Sequence, residues 1–118
     1  MLKIGLIQLA VKEGKTEENR NHIRALVKKY SADDIDLLCL PELSVSGYDF
    51  EAAKESKNEK DFYAQLACES HMSIMAGVNV FCDDSYYDAV CVWDEAGKLL
   101  GEYRKIHLWD KEYDFFAP

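Results

Sequence analysis

Glu42 follows the apolar run Leu37-Leu38-Cys39-Leu40 and Pro41. Such a run predicts a strand covered on both faces. Pro41 has no N–H and ends its ladder. The next side chain is a carboxylate, at the position where α/β sheets carry working groups. It is expected to be buried, which is costly unless a neighbour uses or neutralises it. The candidate neighbour is Lys105, in Tyr103-Arg104-Lys105-Ile106-His107-Leu108-Trp109. A lysine among apolar and aromatic residues is partly desolvated and suits a fixed cation facing an anionic intermediate. The plainer alternative is a solvated lysine on an edge strand. Glu112 alone is one acid in an acidic loop. His107 is a possible base, although a lone histidine among apolar residues is more often structural. Tyr48, after Ser46-Gly47, is a candidate to line a pocket or to pack within its own loop.

The elements that must position these groups follow from periodicity. Residues 2–9 form a strand, with Ile4, Leu6 and Ile7 as its apolar content. Residues 14–18 form a turn, and Thr16 is the expected N-cap, with Glu17 and Glu18 in the first helical turn. Ile23, Leu26, Val27 and Tyr30 recur at helical spacing and predict an amphipathic helix over 17–30. A second strand spans 35–40, completing a βαβ unit with parallel pairing. An irregular loop follows Glu42. Asn58 is the expected cap of a second helix over 59–70, with Phe62, Tyr63, Leu66 and Ala67 inward. Strands over 73–82, 86–93 and 98–106, joined by short turns, form an antiparallel meander. Residues 107–118 have no clear period and predict a loop. The fold class is α/β with a mixed sheet of about five strands and two main helices. Two helices leave one sheet face incompletely covered. Phe115 and Phe116 are expected to need burial against something beyond this chain's end, or against another copy.

The chain has 118 residues and a formal net charge of −8. That length suits one small domain. The charge argues against nucleic acid, because phosphate contacts need clustered lysine and arginine. Here only Lys28-Lys29 and Arg104-Lys105 are adjacent. No apolar stretch is long enough to span a membrane. The opening residues predict a strand rather than a signal peptide, so a cytoplasmic location is expected. Cys39, Cys68, Cys82 and Cys91 show no C-x-x-C pairing. They are expected to be reduced, buried and hydrophobe-like. No metal or cofactor is called for.

Taken together, several of these segments form a pattern. They are Pro41-Glu42-Leu43 with Ser46-Gly47-Tyr48, Tyr103-Arg104-Lys105-Ile106-His107-Leu108, Glu112, and Phe116-Ala117-Pro118. In this order, after an opening strand ending in Gln8-Leu9, they resemble the nitrilase superfamily of carbon–nitrogen hydrolases. The resemblance covers the whole chain. One departure is Tyr87-Asp88, where members usually carry Tyr-Asn, and it is expected to alter local hydrogen bonding.

The resemblance implies the N-terminal part of an α-β-β-α sandwich, a single partial domain over 1–118. It also implies hydrolysis of a non-peptide C–N bond in a small amide, carbamoyl compound or nitrile, through a Glu-Lys-Cys triad without a cofactor. Glu42 would be the general base and Lys105 the oxyanion-stabilising cation. Glu112 would orient the lysine and substrate. The nucleophilic cysteine lies after the lysine in the family, and this chain has none there. The isolated chain is therefore expected to be inactive. It would be a truncated product, one piece of a split enzyme completed by a C-terminal polypeptide, or a relic used for binding. Homo-oligomerisation would also hide apolar surface. A receiver-like signalling module is the competitor from another class. It needs paired acids after the first strand, where this chain has Gln8-Leu9-Ala10.

Overall fold

The structure, a computed structural model, describes residues 1–56 and 59–118. The expected cap at Asn58 lies outside them. Five strands form one sheet in the order β1 (Ile4–Leu6), β2 (Leu37–Cys39), β3 (Ser73–Cys82), β4 (Ser85–Trp93) and β5 (Leu99–Arg104). β1, β2 and β3 run parallel, and β3, β4 and β5 are antiparallel. The mixed α/β sheet is thus the expected one, although β1 and β2 are only three residues long.

α1 (Thr16–Tyr30) buries Ile23 and Val27 and leaves Leu26 and Tyr30 half-buried. Glu17 and Glu18 lie in its first turn and Lys28 and Lys29 in its last, as the helix dipole favours. The N-cap is Lys15, without a side-chain cap, so Thr16 is the first helical residue and not the cap. Buried Asn19 takes over the role of anchor. It exchanges hydrogen bonds with the Lys12 backbone and donates to Val45 O at 2.8 Å. This ties the start of α1 to the loop after Glu42.

A short helix, α2 (Phe50–Glu55), was not evident from periodicity, which six residues hardly display. Asp49 caps it by accepting the Ala52 N–H. α3 (Glu59–Ser70) buries Phe62, Tyr63, Leu66 and Ala67, as expected. α1 and α3 pack these residues on Ile74, Ala76, Val78 and Val80 of β3 and on Ala89, Cys91 and Trp93 of β4. The opposite sheet face is less covered: Leu6, Val90 and Tyr103 are exposed there.

Residues 107–118 are more ordered than a loop. Asp110–Asp114 is a 3-10 turn, and Tyr86 bridges Phe116. The two phenylalanines do not await an outside partner. Phe116 is buried with Leu43 and Leu108, and Phe115 stacks on Phe50 at 5.2 Å. Apolar area buried locally supplies the covering that seemed to be missing. Among the cysteines, Cys39 and Cys91 are buried, Cys82 is half-buried and Cys68 is exposed. Cys68 therefore corrects the expectation of burial, because it falls on the outer face of α3. No helix among the described residues is long and apolar enough to cross a membrane.

Candidate active site

The β2 ladder ends where Leu40 N–H donates to Met75 O. The chain then turns sharply across β3, and Leu43 adopts a left-handed φ of 45°. A bulky residue is rarely found there, and its conformation stores strain. Leu43 is held by full burial and by accepting the Gly47 N–H at 2.7 Å. The crossing depends on Gly77. A Cβ on Gly77 would lie 2.4 Å from Glu42 Cα, so only glycine lets the two backbones approach so closely. Glu13 receives the Tyr48 N–H at 2.6 Å and fixes the far end of the loop.

Lys105 follows β5 directly, and its N–H continues the ladder by donating to Asp88 O at 2.8 Å. Its ammonium reaches Glu42 Oε1 at 2.8 Å and Glu112 at 2.9 and 3.0 Å. Asp88 Oδ2 is 3.4 Å away. Tyr48 donates its hydroxyl to Glu42 Oε2. Trp109 N–H donates to Glu112 Oε2 at 2.7 Å. The structure thus brings Glu42, Lys105, Glu112 and Tyr48 into one cluster. His107 is exposed and does not line it.

One expectation needs correction. Glu42 is not buried, because 38% of its side chain is exposed at the rim of the site. The buried acids of this cluster are Glu112, at 1% exposure, and Asp88, at 3%. Glu112, unremarkable by its local sequence and given a role only by the resemblance, is enclosed because the 3-10 turn folds it inward. In the sequence Asp88 stands out only as a departure from Tyr-Asn. Its available signal was an acid inside a strand with Ala89 and Val90 beside it.

The charges perturb one another. The hydrogen bond that a protonated Asp88 would donate, aided by Lys105 and Tyr48, outweighs desolvation and holds Glu42 well below the usual carboxylate range. Desolvation pushes Asp88 up, and so do the neighbouring Glu42 charge and the hydrogen bond that a protonated Asp88 would donate to it. Burial alone would lower Lys105, but its bonds to Glu42 and Glu112 outweigh this and keep it protonated. Accepting carboxylate and desolvation push Tyr48 up to about 12. Glu42, Asp88 and Glu112 each place an oxygen within 4.8 Å of the others. The Lys105 ammonium already stands among these oxygens as their cation.

Two recesses meet at Glu42 and Lys105. One is lined by Met75, Gly77, Asp88 and Tyr103, the other by Tyr48, Trp109 and Glu112. No cysteine lines either recess among the described residues. Burial pushes the Cys39 thiol up and Cys91 up to about 11, away from the reactive thiolate form.

Glu42, Lys105 and Glu112 meet at a strand-end cleft, and the comparisons with known proteins give the class of the chain. The carbon-nitrogen hydrolase family model matches residues 3–116. The chain belongs to that family. It is 29% identical to a nitrilase of Pyrococcus abyssi, over all of this chain and 48% of that protein. It is 31% identical to 2-oxoglutaramate amidase of Bacillus subtilis, over 90% of this chain and 43% of that protein. The chain therefore spans about half the length of these relatives. The fold is shared with solved structures. The amidase from Nesterenkonia sp. AN1 superposes with a TM-score of 0.88 at 20% identity, covering 100% of this chain and 49% of that one. A carbon-nitrogen hydrolase from Helicobacter pylori G27 gives 0.86 at 22% identity, covering 99% and 44%.

Proposed function

We propose that this chain is a single partial domain supplying the base and the cation of a hydrolase acting on a non-peptide C–N bond. The substrate class is a small amide, carbamoyl compound or nitrile. The observation that carries this reading is the Lys105 ammonium bridging Glu42 and Glu112 at the junction of two recesses. Glu42 is ionised and exposed enough to take a proton from an incoming group. In the assembled enzyme that group is a cysteine thiol. Its sulfur attacks the carbonyl carbon, and the tetrahedral oxyanion is stabilised by Lys105. Glu42 passes that proton to the nitrogen, which leaves as ammonia or an amine, and the freed carboxylate activates the water that hydrolyses the thioester. Glu112 holds Lys105 in place, and Tyr48 holds Glu42.

The cysteine comes from another polypeptide segment. The thiols of this chain lie outside both recesses. The exposed residues Leu6, Val90 and Tyr103 favour a second polypeptide or a second copy over that sheet face. The test is to incubate the chain with simple amides and measure ammonia. We expect none from the chain alone. Turnover that survives replacement of Cys39, Cys68, Cys82 and Cys91 would refute the assigned mechanism. In an assembled enzyme, iodoacetamide labelling followed by mass spectrometry is expected to find one hyper-reactive thiol on the chain that bears the nucleophile.

A further inference from the structure

We propose that Asp88 is a positioning residue that enters the site as a neutral carboxylic acid and shares its proton with Glu42. The proposal rests on the reading of Glu42 as the base. Its first support is a count of donors. Glu42 has one oxygen served by Lys105 and the other by Tyr48. Glu112 is served by Lys105 and by Trp109 N–H. Asp88 Oδ2 is buried and has no hydrogen-bond partner among the described residues. Lys105 Nζ stands 3.4 Å from it, beyond the range of a strong bond. A buried carboxylate without a donor is costly, and a proton removes that cost.

The second support is charge. Three carboxyl groups lie within 4.8 Å and face one ammonium. Fully ionised they would leave two uncompensated charges, and a proton on Asp88 leaves one. Adjacent carboxyls in such a setting hold a proton between them. The groups facing Asp88 are Glu42 from the β2 loop, Lys105 from the end of β5 and Glu112 from the 3-10 turn. Its partner across β3, Asn79, is uncharged and turned to Ala53 O. Asp88 is accordingly displaced upward to about 8, desolvation being the larger cause and Glu42 the next. The proton serves Glu42. It keeps that side chain pinned beside Lys105 and ionised.

The test is a carbon-13 NMR titration of the side-chain carboxyls in the full 118-residue chain from about pH 1 to 10, which does not depend on turnover. Asp88 is expected to titrate near 8 instead of near its ordinary 3.8. The Glu42 signal is expected to move in the same step. Asp88→Asn is expected to abolish that step and leave the low midpoint of Glu42 in place, because its amide still donates. Asp88→Ala is expected to raise the Glu42 midpoint toward the carboxylate norm. An Asp88 midpoint near 3.8, or a Glu42 midpoint equal in the wild type and in both variants, would overturn the proposal. Should Asp88→Ala fail to fold, the wild-type and Asp88→Asn titrations decide alone. Failure of the base reading would show separately, as amide hydrolysis by an assembled enzyme that tolerates Glu42→Gln.

Discussion

Lys105 Nζ lies 2.8 Å from Glu42 Oε1, across 63 positions of sequence. The ammonium also holds Glu112, which is almost fully buried. Lys105→Met would leave Glu42, Asp88 and Glu112 facing one another without a cation. Removing one partner of a fully buried pair costs about 3–5 kcal/mol. Here Lys105 is 30% exposed and Glu42 38%. Solvent screening reduces the expected loss to about 1–3 kcal/mol. For a chain of this size that lowers Tm by roughly 5–15 °C. Thermal unfolding followed by circular dichroism measures it, and an unchanged Tm would show that the bridge contributes nothing.

Gly77→Ala tests how Glu42 is placed. The new methyl would lie 2.4 Å from Glu42 Cα and 3.0 Å from Glu42 N, both backbone atoms with little freedom to yield. Overpacking of this kind costs about 1–3 kcal/mol. The strained turn at Leu43 would shift with it. Loss of stability together with a rise in the Glu42 titration midpoint is the expected pair of results. A destabilised variant with an unmoved midpoint would mean that the loop adjusts without disturbing the site.

Much of this geometry was legible beforehand, for identifiable reasons. The βαβ start, α3 and the meander follow from strong local periodicity, and Pro41 and Gly47 mark where the Glu42 loop begins and turns. The junction of Glu42 with Lys105 came from resemblance, because no local signal spans 63 positions. Burial of individual charges was not legible. Glu42 proved to be the exposed acid and Glu112 the enclosed one, since the 3-10 turn and the Phe50–Phe115–Phe116 cluster decide which carboxyl faces inward. Such contacts arise between distant segments that carry no periodic pattern of their own.

Tyr48→Phe removes one donor from Glu42 and leaves the ring. Tyr48 is half-exposed, so the stability change is expected to stay under about 1 kcal/mol. The Glu42 midpoint should rise, because an oxygen that accepted a hydroxyl now relies on water. In the wild type two tyrosines should ionise late in an absorbance titration, Tyr48 at pH about 12 and buried Tyr63 later, pushed up by desolvation. Tyr48→Phe should leave one late tyrosine. Two late tyrosines in that variant would assign the raised hydroxyl elsewhere.

Glu59 gives a pH dependence outside the site. It is fully buried, accepting Ser56 Oγ–H at 2.6 Å and the Asn79 N–H at 2.8 Å. Desolvation outweighs these bonds and pushes it up to about 7 from 4.5. The folded state therefore binds more protons than the unfolded chain between those two values. Stability from this group is fully present below 4.5 and is lost as pH rises to about 7, by at most about 1.4 kcal/mol per pH unit. Glu59→Gln keeps an acceptor for Asn79 N–H and has no proton to lose. Asp88 contributes a slope of the same sign, so the difference between the two proteins isolates Glu59. Urea unfolding at several pH values should show Glu59→Gln gaining on the wild type from pH 4.5 to 7 and then keeping a constant lead. Parallel curves would mean that Glu59 titrates alike in the folded and unfolded chains.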